Sequence, residues 1–153
     1  MPLKVALQMD PIGSVNINGD STFRIALEAQ ARGHSLFFYT PDRLAFVEGR
    51  VLARGWPIEV RRELGNHVTY GEETEVDLGT YDVVWLRQDP PFDMGYITTT
   101  HLLEMIHPKT LVVNDPFWVR NSPEKLLVLR FVQQSGDAVA SGNPLVATNA
   151  ALG

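Results

Sequence analysis

Three polar segments, each following an apolar run, hold the side chains best suited to bind a small charged ligand. These segments are residues 10–20, 87–93 and 114–122. If the preceding runs are parallel strands of an open sheet, their carboxyl ends meet at one edge, which is where such sheets bind ligands. Every strand also needs turn residues at its end, so a purely structural origin for these segments stays open.

Arg87 is the residue in these segments with the most specific chemistry. It directly follows an apolar run, so a rigid strand would hold its planar guanidinium, which matches a carboxylate in shape and hydrogen bonding. The alternative is a structural ion pair of Arg87 with Asp89 or Asp10. Pro90 and Pro91 stiffen the segment that follows, and the bond between them is a candidate for the cis form.

Asp10, Asn16 and Asn18 offer further polar groups in the first segment. Asp10 can bind a metal ion or an ammonium group, but an Asp followed by Pro more often caps a turn, and we favour the cap. The two asparagines either bind polar groups of a ligand or lie in solvated turns. The candidate substrate-binding residues are therefore Arg87, Asp89, Asp10, Asn16 and Asn18.

No catalytic, cofactor-binding or metal-binding residue follows from the residue pattern. The four histidines lack the spacing of metal ligands, so we expect them to be structural or exposed; they are His34, His67, His101 and His107. The sequence contains neither a phosphate-binding loop of the P-loop type nor a GxGxxG motif.

The composition is that of one soluble globular domain. The chain has 153 residues, of which 44% are hydrophobic and 20% are charged. A net charge of −5 without a basic stripe argues against nucleic acid and anionic membranes as partners. There is no cysteine, no signal peptide and no apolar stretch of ~20 residues that could cross a membrane. These features favour a cytoplasmic protein.

The elements that would position the polar segments follow an α/β pattern. We predict a three-layer, Rossmann-like fold, with a mostly parallel open sheet of about four main strands and helices on both faces. The predicted strands are residues 3–9, 34–40, 81–86 and 110–113, and the predicted helices are 22–32, 96–107 and 122–131. Asp20 or Ser21 is expected to cap the first helix, and Gly33 to end it.

Two regions depart from this pattern. A small antiparallel excursion is expected near residues 44–70, followed by an acidic loop over 72–79. Residues 132–153 are poor in charge and lack an amphipathic period, so we expect a flexible tail with at most a weak strand at 145–146.

Several short motifs keep one order and register over residues 1 to about 131. They are Met9-Asp10-Pro11-Ile12, Asn16-Ile17, Asp20-Ser21, Leu27-Glu28-Ala29-Gln30, Arg32-Gly33-His34, LRQDPPFD at 86–93, VNDP at 113–116 and RNSPEKL at 120–126. Taken together, these motifs resemble the N-terminal domain of prokaryotic glutathione synthetases.

The resemblance implies an ATP-grasp ligase that joins γ-glutamylcysteine to glycine with ATP and Mg²⁺ or Mn²⁺. In that reaction the dipeptide carboxylate becomes an acyl phosphate, which the glycine amine attacks. Residues 1–131 would be the pre-ATP-grasp domain. This domain lines one wall of the peptide site and contributes to subunit contacts, so the resemblance also implies a homo-oligomer.

The segment after residue 131 does not resemble an ATP-grasp domain. We therefore expect a truncated N-terminal domain with a non-family tail at 132–153, which binds no cofactor and has no ligase activity alone. One alternative is a noncatalytic module that binds another small carboxylate. The other is a dimerisation module that only supplies a subunit contact.

Overall fold

The computed structural model of the chain describes residues 1–122, which form eight strands and three α-helices, besides three short 3₁₀ helices. The strands are β1 (Lys4–Met9), β2 (Ser35–Tyr39), β3 (Leu44–Val47), β4 (Arg50–Val60), β5 (Val68–Tyr70), β6 (Thr74–Asp77), β7 (Val83–Arg87) and β8 (Leu111–Val113). The helices are α1 (Ser21–Ala31), α2 (Met94–Glu104) and α3 (Pro116–Asn121). The strands form one sheet in the order β3-β4-β2-β1-β7-β8, with β5 and β6 also paired to β4.

The four apolar runs that were predicted to be parallel strands form the centre of this sheet. β1 is paired in parallel with β2 on one side and with β7 on the other, and β7 is paired in parallel with β8. The third run begins two residues later than predicted and includes Arg87 as its last residue. The predicted α/β fold with a parallel central sheet is confirmed.

Both faces of the parallel sheet are covered, which explains why its strands are apolar throughout rather than alternating. On one face, Phe23 and Ala26 of α1 belong to a buried cluster with Leu7 of β1. On the other face, Leu103 of α2 belongs to a second buried cluster with Ala6 of β1. Successive side chains of a strand point to opposite faces, so the neighbours Ala6 and Leu7 serve the two clusters. The predicted three layers are present.

The antiparallel excursion is built on the long strand β4 and extends further than predicted. The first half of β4 pairs with β3 and β6, and its second half pairs with β2 and β5. The prediction of a loop over 72–79 was wrong, because Thr74–Asp77 forms strand β6 along residues 52–55. The acidic composition suggested full solvation, but a short strand needs few apolar contacts, and Val76 packs against the core.

Capping residues determine where the first two helices begin. Asp20 accepts a hydrogen bond from the Phe23 N–H at 2.6 Å and caps α1, as predicted. Gly33 follows this helix with a φ of 81°, a conformation that favours glycine. Asp93 caps α2, which therefore begins at Met94, two residues earlier than predicted, and ends at Glu104.

The helix α3 was missed by the sequence analysis. Asp115 accepts hydrogen bonds from the N–H groups of Phe117 and Trp118, and Pro116 occupies the first turn, where its missing N–H is not needed. Ser122 was predicted to cap the start of a helix, but it follows the end of α3. The rest of that predicted helix, 123–131, and the predicted tail at 132–153 lie outside the described residues.

Candidate functional site

The parallel sheet has a topological switch point between β1 and β7. The chain leaves β1 through α1 and returns as β2 on one side, whereas β7 is paired on the other side. Connections diverge at such a point and leave a crevice at the carboxyl ends of the strands, where open α/β sheets bind ligands. Met9 and Arg87 are paired across it, so the polar segments 10–20 and 87–93 begin side by side. The segment 114–122 follows β8, one strand further along the same edge.

Arg87 is held at this crevice by the start of α1. Its Nε donates to Thr22 Oγ1 at 3.0 Å, and its Nη2 donates to Ser21 Oγ at 3.1 Å. Among residues 1–122 the guanidinium forms no ion pair with Asp89 or Asp10, so the structural partners of Arg87 are hydroxyl groups instead. Its Nη1 donates to none of the described residues, which leaves the end of the guanidinium available to a carboxylate.

Asp10 connects the first polar segment to the second. Its Oδ2 accepts the backbone N–H of Asp89 at 2.7 Å. Among the described residues, the Asp10 side chain makes no hydrogen bond within its own turn, so the predicted turn cap is not observed; it joins the two polar segments instead. The side chain of Asp89 is exposed at the same edge, and the peptide bond between Pro90 and Pro91 just after it is cis.

Asn16 and Asn18 lie in the turn that leads into α1. Asn16 Oδ1 accepts the Asn18 N–H at 3.1 Å, and the Asn16 carbonyl accepts the N–H groups of Gly19 and Asp20 at 2.9 and 2.8 Å. Both asparagines are exposed. In the described part of the chain they form no hydrogen bond with Arg87, Asp89 or Asp10, and their bonds hold the turn before α1.

Three further polar residues lie in or next to the polar segments, and the sequence analysis did not single them out: Gln8 at the end of β1, Gln88 in segment 87–93 and Tyr96 in the first turn of α2. Gln8 Nε2 donates to Gln88 Oε1 at 2.6 Å. Partial burial raises the pKa of Tyr96, the charge of Arg87 lowers it, and the charge of Asp89 raises it. The one available signal was Gln8, a polar residue inside an apolar strand.

A cavity of about 680 Å³ opens beside the crevice, near the carboxyl end of β2. Asp10 lines its crevice side, and the rings of Phe38, Trp56 and Tyr70 pack together along its wall. The guanidinium of Arg43 lies over the Trp56 ring, 4.6 Å from the ring centroid. A cavity of this size can accommodate a small organic ligand that is held at the crevice.

The histidines have the roles that the sequence predicted. His34 Nδ1 and His107 Nδ1 accept backbone N–H groups, His67 Nε2 lies 2.9 Å from the Ile12 carbonyl oxygen, and His101 is exposed. Within residues 1–122, no three His, Cys, Asp or Glu side chains are placed to hold a metal ion. None of the helices in this part of the chain is long and apolar enough to cross a membrane.

The chain forms an α/β domain whose parallel strands are joined at a switch point. Charged segments meet there, and domains of this class bind small ligands at such a point. Residues 3–120 match the family described as prokaryotic glutathione synthetase, N-terminal domain, and the chain belongs to this family. The match confirms the resemblance inferred from the motifs.

Individual relatives are named glutathione synthetase. The protein of Mesorhizobium japonicum is 59% identical over 145 residues, which cover 95% of this chain and 46% of the relative. The protein of Brucella melitensis is 60% identical over 144 residues, which cover 94% of this chain and 46% of that relative. The protein of Xanthomonas campestris is 42% identical over 134 residues, which cover 87% of this chain and 42% of that relative. The chain spans less than half the length of these curated relatives.

Proposed function

We propose that this chain is the substrate-side N-terminal region of a glutathione synthetase, and that its crevice binds γ-glutamylcysteine for ATP-dependent joining to glycine. Membership of the N-terminal family supports this proposal, as do the names of the relatives. Homo-oligomer formation stays a prediction from the resemblance.

The observation that carries the proposal is the way Arg87 is held. Two hydroxyls of α1 take up its Nε and Nη2 donors and fix the plane of the guanidinium. The Nη1 end can then meet a carboxylate without a large loss of side-chain freedom, because that freedom is already restricted. A dipeptide with free carboxylates is a ligand of the matching charge and geometry.

The other candidate residues complete a site for a ligand with both charges. The exposed carboxylate of Asp89 suits an ammonium group, and Asp10 fixes the backbone of Asp89 while it lines the neighbouring cavity. Asn16 and Asn18 would supply amide groups on the side of α1. In this proposal the residues of the chain bind and orient the dipeptide.

ATP, bound with magnesium or manganese in the family reaction, would supply the phosphoryl group that activates the dipeptide carboxylate. Phosphoryl transfer depends on positioned cations and phosphate-binding groups. We place those groups outside residues 1–122, and the described residues would contribute by holding the dipeptide in a fixed position.

Titration calorimetry with the 153-residue chain tests the binding step. We expect reduced γ-glutamylcysteine to bind and its dimethyl ester to bind at least about tenfold more weakly, since the ester lacks the charged carboxylates. Arg87→Ala should remove most of the affinity, whereas Arg32→Ala, which only breaks an exposed contact with Glu28, should not. Equal binding of acid and ester would refute the carboxylate site.

A further inference from the structure

Gln8 is a polar residue in the core of β1. Its exposed fraction is 0%, and it lies between the buried residues Leu7 and Met9. Burying an amide is unfavourable unless its groups are hydrogen-bonded. Among the described residues its side chain makes one hydrogen bond, from Nε2 to Gln88, and its Oε1 has no partner. A leucine of similar size would avoid this cost, so core packing does not explain a glutamine here.

The contact determines how the Gln88 amide is oriented. Since Gln88 Oε1 accepts the hydrogen bond, the two N–H donors of its Nε2 are left for other partners, and within residues 1–122 they have none. The reverse orientation of both amides would leave both buried N–H donors of Gln8 without a partner among the described residues, whereas the observed one leaves one N–H and the oxygen unpaired. Unpaired buried N–H groups are rarer than unpaired buried oxygens, so the observed orientation is the more stable one.

Gln88 lies between two residues that are also attached to other elements. Arg87 is bonded to the start of α1, and the backbone of Asp89 is bonded to Asp10. Arg87 reaches the face of the sheet that α1 covers. Gln88 reaches Gln8, which points to the opposite face, as successive strand residues do. The crevice therefore has a fixed donor on each side, the Arg87 guanidinium towards α1 and the Gln88 amide towards α2.

We propose that Gln8 is a positioning residue, and that it holds Gln88 so that the Gln88 amide donates to an oxygen of the ligand on the α2 side of the crevice. The ligand class is a small molecule with two separated acceptor groups: a carboxylate at Arg87, and a carbonyl or second carboxylate at Gln88. This inference rests on the proposed function, since γ-glutamylcysteine has such groups.

Three matched substitutions of glutamine by leucine test it in the 153-residue chain: Gln8→Leu, Gln88→Leu and Gln30→Leu. Gln30 is the control, because its amide makes two hydrogen bonds to the backbone of Val60 on the α1 side, at 2.7 and 2.8 Å. We expect Gln8→Leu and Gln88→Leu each to weaken dipeptide binding about three- to tenfold, the effect of one hydrogen bond. Gln30→Leu should lower the melting temperature and leave the affinity unchanged.

Hydrogen exchange at the Asp89 amide gives a readout that needs no ligand. We expect this amide, which donates to Asp10, to exchange faster in Gln8→Leu than in wild type and to be unchanged in Gln30→Leu. Unchanged exchange in Gln8→Leu would overturn the positioning role, as would a loss of affinity in Gln88→Leu that Gln8→Leu does not share. If the wild-type chain binds no dipeptide, the proposed function fails, whereas the exchange comparison still decides the role of Gln8.

Discussion

Replacing Arg87 with lysine separates the binding role of this residue from its structural role. Lysine keeps the positive charge but has a single ammonium group in place of the planar fork. A lysine therefore cannot bond to Ser21 and Thr22 at the same time. It also lacks the guanidinium end that we assign to the ligand.

The two effects have different expected sizes. A hydrogen bond to a charged group contributes about 1.5–3 kcal/mol, but Arg87 is exposed and a lysine ammonium can replace one of its two bonds. We therefore expect a loss of about 1 kcal/mol in the free energy of unfolding, or about 2–4 °C in Tm for a chain of this length. Loss of the carboxylate contact should cost about 1–3 kcal/mol of binding free energy, which is a rise in Kd of about 5- to 150-fold.

Thermal unfolding by circular dichroism and dipeptide calorimetry on one preparation measure both effects. Ser21→Ala and Thr22→Val serve as controls, because they remove the hydroxyl partners and keep the guanidinium. They should lower Tm to a similar extent with a smaller loss of affinity. An unchanged dipeptide affinity in folded Arg87→Lys would refute the binding role, and a fall in Tm alone would make Arg87 a structural residue.

Two predictions concern the core. The Tyr39 hydroxyl is buried without a partner among the described residues, and burial raises the pKa of Tyr39 well above its ordinary value. Since the unfolded chain releases this proton first, near pH ~10, stability should fall as the pH rises past that value. Tyr39→Phe should weaken this fall and be equally or more stable at neutral pH by up to about 1 kcal/mol. Urea unfolding at neutral and alkaline pH measures both, and a fall in Tyr39→Phe as large as in wild type would show that Tyr39 does not cause it. Gly55→Ala should destabilise the chain by about 3 kcal/mol or more, because the added Cβ would lie 2.1 Å from the Phe38 carbonyl oxygen. Gly13→Ala, whose Cβ would meet only the end of the Tyr70 side chain at 3.2 Å, should cost far less, and equal costs in urea unfolding would contradict the steric argument.

Local signals in the sequence were enough to predict the central architecture. The four apolar runs are strands, because a sheet covered on both faces requires apolar side chains in both directions. Asp20 and Gly33 mark the ends of α1, because capping depends on residues within one turn. The motifs also identified the family correctly. The signal for α3 was also local: Asp115 caps its start and Pro116 opens its first turn, but the sequence analysis did not use it.

The contacts of the candidate site depended on the tertiary structure. Arg87 was predicted to end a strand, but its bonds to Ser21 and Thr22 join residues 66 and 65 positions apart. The bond of Asp10 to Asp89 spans 79 positions, and that of Gln8 to Gln88 spans 80. Apolar periodicity shows that a run is a strand, but strand order and register decide which run lies beside it. The pairing of β1 with β7 brings Gln8 to Gln88 and Asp10 to the Asp89 backbone, and the packing of α1 on this face brings Ser21 and Thr22 to Arg87.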